Sequence, residues 1–274
     1  MFYQVQGAPL YCYTGDKAFD AAKPTVVLIH GVLCDHSVWV WQARYLANHG
    51  FNVLSIDLPG HSRSGGEAPA SVAQAADTIA ALLDAAGAKQ AALVGHSWGS
   101  LIAMEAAALL KERISHLVLI GTAAPMKVSP ALIAASQDDP EAALKMVNVF
   151  SRSTLASPTG AGFWVYGASM ALGRKVLRSN RSVNVFHRGF VACDQYAGGP
   201  AAMAAITCPV LFLLGAQDQM TQPKAAQPLI AAARQAGKTV QVQYLPVGHH
   251  QMTEAPNETV RALHGFLRPT CNGG

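Results

Sequence analysis

The pentapeptide Gly95-His96-Ser97-Trp98-Gly99 lies at a seam, where the apolar run AALV passes directly into the helical run LIAMEAAALL. A serine there has two readings. Ser is a favoured helix N-cap, whose oxygen accepts a free N–H of the first turn. Alternatively, flanking glycines without Cβ let the chain turn sharply enough to lift the Ser97 hydroxyl above the end of a strand as a nucleophile. Attack by that oxygen on a carbonyl would create an oxyanion beside a helix N-terminus, where free N–H groups and the helix dipole favour negative charge.

Three more segments supply the groups such a nucleophile needs. In LIHGVLCDHSVW a strand gives way to His30-Gly31, and the next residue, Val32, can point its N–H into the site; together with the N–H of Trp98 it would form an oxyanion hole. The plain alternative is a strand-to-loop turn with Gly31 at its tight position. In PVLFLLGAQDQMTQP, Asp218 follows a late strand and can hold an imidazole in one tautomer and stabilise its charged form, unless it is only a turn aspartate before Pro223. In YLPVGHHQMTEAP either His249 or His250 can take the serine proton and return it to a leaving group, since imidazole titrates near neutrality. Adjacent histidines also raise the question of zinc. No carboxylate or third histidine stands at a fitted spacing, so neither metal nor cofactor is expected.

Positioning these groups requires a regular frame. Strands are expected at residues 2–6, 10–14, 25–30, 51–57, 90–95, 116–121, 209–215 and 239–245, and helices near 38–49, 71–86, 98–111, 223–236 and 256–267. The middle strands are continuously apolar, as strands covered on both faces should be. Strand and helix in alternation predict an α/β fold, with a mostly parallel eight-stranded sheet, flanking helices and an antiparallel opening pair. Residues 125–206 interrupt the alternation with helix-like segments such as DPEAALKMVNVF, too long a stretch for a passive loop. The expected organisation is a core of residues 1–124 and 207–270, a helical cap over 125–206 and a short tail at 271–274.

Composition bounds the partners. Of 274 residues 51% are hydrophobic and only 13% charged, about half the usual charged share, which argues for a large buried core. A net charge of +4 without a long run of one sign gives no reason to expect nucleic acid or an anionic membrane. The N-terminal residues lack the pattern of a secretory signal, and no apolar stretch is long enough to span a bilayer. Five cysteines, at 12, 34, 193, 208 and 271, form no CxxC pair and read as reduced thiols, which together points to a cytoplasmic location. The expected partner is a small-molecule ester; an oligomer is possible but not indicated.

Taken together, the motifs resemble the α/β-hydrolase superfamily in its capped, esterase-like branch. The order Ser97, Asp218, His249 is the family order, and the resemblance runs over nearly the whole chain. Gly248-His249 followed by Glu254 and Pro256 matches the family's last segment, which favours His249 as base. IDLPGHSRSGG resembles the family's D-x-x-G-x-G-x-S turn, with Asp57, Gly60 and Ser64 present but Ser62 in place of the second glycine. Ser100 likewise stands where many relatives have Gly, a position expected to matter for packing alone.

The resemblance implies a serine hydrolase. Relatives that open epoxides carry Asp at the elbow, so Ser97 implies an acyl-enzyme route and a carboxylic ester of small to medium size. The implied catalytic residues are Ser97, Asp218 and His249, with Val32 and Trp98 as the oxyanion hole. Candidate pocket residues are His30, Gly31, Met126, Phe150, Trp164 and Tyr166. Two alternatives stay open: a C–C bond hydrolase or aminopeptidase-type amidase using the same triad, and a non-catalytic ligand-binding protein of the same fold.

Overall fold

The computed structural model describes residues 1–153 and 165–268. The chain opens with β1 (Phe2–Val5), β2 (Ala8–Tyr13) and β3 (Thr25–Ile29), followed by α1 (Val40–Asn48), β4 (Asn52–Ile56), α2 (Val72–Ala85), β5 (Ala91–His96), α3 (Trp98–Leu110) and β6 (Ile114–Ile120). Among the described residues five helices follow: α4 (Pro130–Asp138), α5 (Pro140–Phe150), α6 (Val165–Ser179), α7 (Val185–Gln195) and α8 (Gly199–Ala205). The sheet resumes with β7 (Val210–Gly215), then α9 (Gln227–Gln235), β8 (Val240–Leu245), α10 (Gln251–Glu254) and α11 (Pro256–Leu267).

The eight strands form one sheet in the order β1-β2-β4-β3-β5-β6-β7-β8. β1 pairs antiparallel with β2 and β2 with β4; every later pairing is parallel. The alternation of side chains along each strand fills two cores. Val27, Ile29 and Leu93 pack with Ile79 and Leu82 of α2 and Leu101 and Met104 of α3. Val26, Leu28 and Val94 point the other way, to Ala43 and Leu46 of α1 and Leu263 and Leu267 of α11. Both faces of the central strands are therefore covered, which accounts for their unbroken apolar sequence. Among the described residues no helix is long and apolar enough to cross a membrane.

The register brings the carboxyl ends of the central strands together. Ile29 lies beside Gly95, His96 beside Ile120, and Leu213 beside Ile120 on the next strand. The loops after β3, β5, β7 and β8 consequently leave on one rim, where ligands bind in open parallel sheets.

Of the five described helices between β6 and β7, only α5 and α6 coincide with helix-like stretches of the sequence, DPEAALKMVNVF and WVYGASMALGRKVLRSN. The short, Ala-rich helices α4 and α8 and the mixed α7 have no comparable signal. These helices have an apolar core of their own, built from Leu132, Leu144, Met170, Val176, Phe186 and Phe190, which Leu33 of the loop after β3 joins. α6 is also tied to the loop after β3 by charge: Lys175 Nζ lies 2.7 Å from the buried Asp35 carboxylate.

Candidate active site

The seam at Ser97 is a strained turn. Ser97 has φ 53° and ψ −122°, a conformation that non-glycine residues rarely adopt, and its side chain makes no capping bond to α3. The N-cap reading therefore does not describe it. The two glycines of the motif are required by space. A Cβ on Gly95 would lie 2.0 Å from the Gly99 carbonyl oxygen, and one on Gly99 would lie 2.4 Å from that of Ile29. No larger residue fits without moving backbone.

Asp218 is 3% exposed, and its carboxylate is fully occupied. Oδ1 accepts the N–H groups of Met220 and Thr221, each at 2.8 Å, while Oδ2 accepts the Thr221 hydroxyl at 2.8 Å and faces His249 Nδ1 at 2.8 Å. Burial by itself would raise this carboxyl's pKa. The charge of the His249 ring and the hydrogen bonds from His249 and Thr221 outweigh it and hold the pKa below the usual Asp value. With Nδ1 engaged, His249 keeps Nε2 for another partner. Gly121 makes room for the ring, since a Cβ there would approach Cε1 and Nδ1 to 3.1 Å.

The loop that carries His249 is held from several sides. Glu254 accepts the N–H of Gly248 at 3.2 Å, of His250 at 3.1 Å and of Ser153 at 2.9 Å. His249 N–H donates to Ser151 O at 2.9 Å, and the His249 carbonyl lies 2.8 Å from His96 Nε2. His250 is partly buried, and its Nδ1 has no hydrogen-bond partner among the described residues. Burial, then the neighbouring Arg152 charge, pushes its pKa well below the ordinary His value.

Ser97 and His249 line a common cavity of about 270 Å³, with Val32, Thr221, Met126 and Phe150 also on its wall. As the first residue of α3, Trp98 has an N–H with no acceptor inside its own helix. Its indole is buried rather than lining this space. Gly31 sits against the site, within about 3.0 Å of Ser97 Cβ if given a side chain. His30 departs from the expectation of a pocket residue. It is fully buried, with Nε2 accepting the N–H of Leu58 at 3.1 Å, which leaves Nδ1 to donate to Gly31 O at 2.8 Å. It thus fastens the loop after β3 to the loop after β4. Tyr166 is partly buried on α6 against the core of the inserted helices, and Trp164 falls outside the described residues.

Two small residues have unexpected roles. Ser62, where the turn motif usually has Gly, adopts φ 45° and donates its hydroxyl to Asp35 Oδ2 at 2.8 Å. Ser100 does more than pack: its hydroxyl lies 2.5 Å from Ser97 O and 2.9 Å from Thr122 Oγ1. Thr221 carried no sequence signal beyond its place three residues after Asp218.

Asp35, His36 and Asp57 place potential ligand atoms within 4.8 Å of one another. Their oxygens already accept protein donors. Asp57 takes the N–H groups of His36 and Arg63 and pairs with the His36 ring, and Asp35 takes Ser37, Ser62 and Lys175. A cation would have to displace these partners, so the cluster reads as a brace between the loops after β3 and β4. The four cysteines among the described residues are free and buried.

The family model described as "alpha/beta hydrolase fold" matches residues 24–256. Epoxide hydrolase B of Mycobacterium tuberculosis (strain ATCC 25618 / H37Rv) is 33% identical over 106 residues, 38% of this chain and 30% of that protein. Lipase LipV of the same strain is 36% identical over 98 residues, 36% of this chain and 37% of that protein. The chain thus spans about a third of the length of these curated relatives. The structure of an esterase from Exiguobacterium antarcticum is similar with a TM-score of 0.80 at 19% identity, covering 97% of this chain and 98% of that one. At that identity the likeness concerns the fold.

Proposed function

Since this chain belongs to the alpha/beta hydrolase fold family, we propose that it is a serine hydrolase cleaving carboxylic esters of small to medium size through an acyl-enzyme. The observation that supports this most is the buried His249–Asp218 pair, 2.8 Å apart, beside a strained Ser97 on the wall of the same cavity.

In this reading Ser97 Oγ attacks the ester carbonyl carbon while His249 Nε2 accepts its proton. Asp218 fixes Nδ1 as the protonated nitrogen, so that Nε2 carries the lone pair, and stabilises the imidazolium that forms. The carbonyl oxygen takes the negative charge and is met by the N–H groups of Val32 and Trp98; losing one such donor typically costs 10²–10³ in rate, about 3–4 kcal/mol. Collapse expels the alcohol, which takes the proton from His249. Water then attacks the acyl-enzyme, gives a proton to His249, and the carboxylic acid leaves as that proton returns to Ser97. Each group is restored at the end.

The helices between β6 and β7 serve as the cap over this chemistry. Met126, Leu132, Phe150 and Phe190 bring apolar surface to the cavity, which suits an uncharged acyl or alcohol group of modest size. The direct test compares hydrolysis of p-nitrophenyl acetate and butyrate by the protein and by Ser97→Ala. Turnover should fall at least 10³-fold in the variant with its fold intact; equal turnover by both would overturn the reading.

A further inference from the structure

A second cavity, of about 280 Å³, lies next to the one that contains Ser97. The two share Val32, and the neighbouring residues His249 and His250 each line one of them. Its wall is mostly apolar: Val38, Trp41, Leu144, Val147 and Leu172 come from α1, α5, α6 and the segment before α1. At ~30 Å³ per water-sized group it has room for roughly nine such groups.

One cation stands in this apolar wall. Arg152 is partly buried, and among the described residues its terminal nitrogens meet only neutral hydroxyls, those of Thr253 at 2.9 Å and of Ser169. Its Nε has no partner among the described residues. Two nearby groups bear on that charge. The Glu254 carboxylate favours that charge through space but forms no ion pair with Arg152 among the described residues, its two oxygens accepting the backbone N–H groups of Gly248, His250 and Ser153. Cys34, also on the cavity wall, is held as a neutral thiol, because burial raises its pKa to about 12. A guanidinium whose direct partners are neutral hydroxyls keeps donor capacity for an anion at the edge of an apolar chamber, and a carboxylate is the anion its planar donor fork matches.

We propose that this second chamber binds an amphiphilic monocarboxylate, with the carboxylate on Arg152 and an unbranched alkyl chain of about eight carbons along the apolar wall. The chamber is distinct from the one lined by Ser97, so the assignment stands or falls separately from the catalytic reading. Occupancy would place a ligand against Val32 and His250, directly behind the reacting groups.

Isothermal titration calorimetry of the full chain with octanoate and with octanol tests this. Octanoate should bind, and octanol at least tenfold more weakly. Arg152→Met should weaken octanoate at least tenfold with little effect on octanol, whereas Arg152→Lys, which keeps the charge, should retain most of the affinity. Ala168, an exposed residue of α6 on the chamber wall, offers a second variant that leaves the core alone: Ala168→Trp should obstruct both ligands. Thermal unfolding of each variant establishes that it is folded. No octanoate binding to the unaltered protein, equal affinity for octanol, or unchanged octanoate affinity in folded Arg152→Met and Ala168→Trp would each overturn the proposal.

Discussion

The carboxylate of Glu254 brackets His249 without touching its ring. It accepts the N–H of Gly248 on one side and of His250 on the other, and adds that of Ser153 from the chain following α5. In Glu254→Gln one acceptor oxygen becomes an NH₂ facing backbone donors, so the bracket loses at least one charge-assisted bond. Stability should drop by about 2 kcal/mol, the scale of a hydrogen bond to a charged group. The expected kinetic signature is a fall in kcat larger than any change in KM, because the base is misplaced while the cavity is kept. Urea unfolding together with steady-state ester hydrolysis measures both, and a variant with unaltered kcat would show that the bracket does not position His249.

Thr221 braces the carboxylate that faces His249. Its hydroxyl donates to Asp218 Oδ2 and lies 3.1 Å from His249 Nδ1. Thr221→Val removes that donor with little change in shape, and kcat should fall about tenfold, equivalent to ~1.4 kcal/mol. Thr221→Ser should recover most of the loss. If valine and serine behave alike in kcat, the hydroxyl has no positioning role.

Strain at Ser97 makes a prediction of opposite sign for stability. Glycine adopts φ near 53° at little cost, whereas conformations of this kind cost other residues about 1–3 kcal/mol. Ser97→Gly should therefore abolish ester hydrolysis and yet raise stability by about 1 kcal/mol or more relative to Ser97→Ala. Denaturant midpoints of the two variants decide the matter, and a glycine variant no more stable than the alanine one would count against stored strain.

Acid should unfold this protein through its buried histidines. Burial lowers the pKa of His30, His61, His96 and His250, with His61 falling to about 4. Their full stabilising contribution is present above the unfolded value of about 6.5. As pH falls through that value the unfolded chain takes up protons that the native state refuses, so stability is lost downward from pH ~6.5. With ~1.4 kcal/mol per pH unit for each proton, the slope where all four stay neutral in the native state is about 5.6 kcal/mol per unit. Urea unfolding at pH 7.5 and pH 5.0 should show a marked loss at the lower value; equal stabilities would contradict it.

The frame was legible because its signals are local. Unbroken apolar runs such as TVVLI and VLFLLG mark strands covered on both faces, and the glycines at 95 and 99 mark a seam where backbones approach too closely for a Cβ. Ser97, Asp218 and His249 could be named from their order because each follows a strand. The roles of His30, Thr221 and Arg152 could not. They depend on which loops meet across the rim, a long-range property: Arg152 meets Thr253, and His30 meets Leu58. The inserted helices were only half visible, since α4 and α8 are short and rich in alanine, with no polar face to give a period.

The proposed nucleophile is Ser97, activated by His249 and Asp218. The most direct measurement is labelling with a fluorophosphonate followed by peptide mass spectrometry. The predicted result is a single adduct on Ser97, lost in Ser97→Ala and slowed at least 10²-fold in His249→Ala. A folded protein that takes up no label, or an adduct on another residue while ester turnover continues, would contradict it.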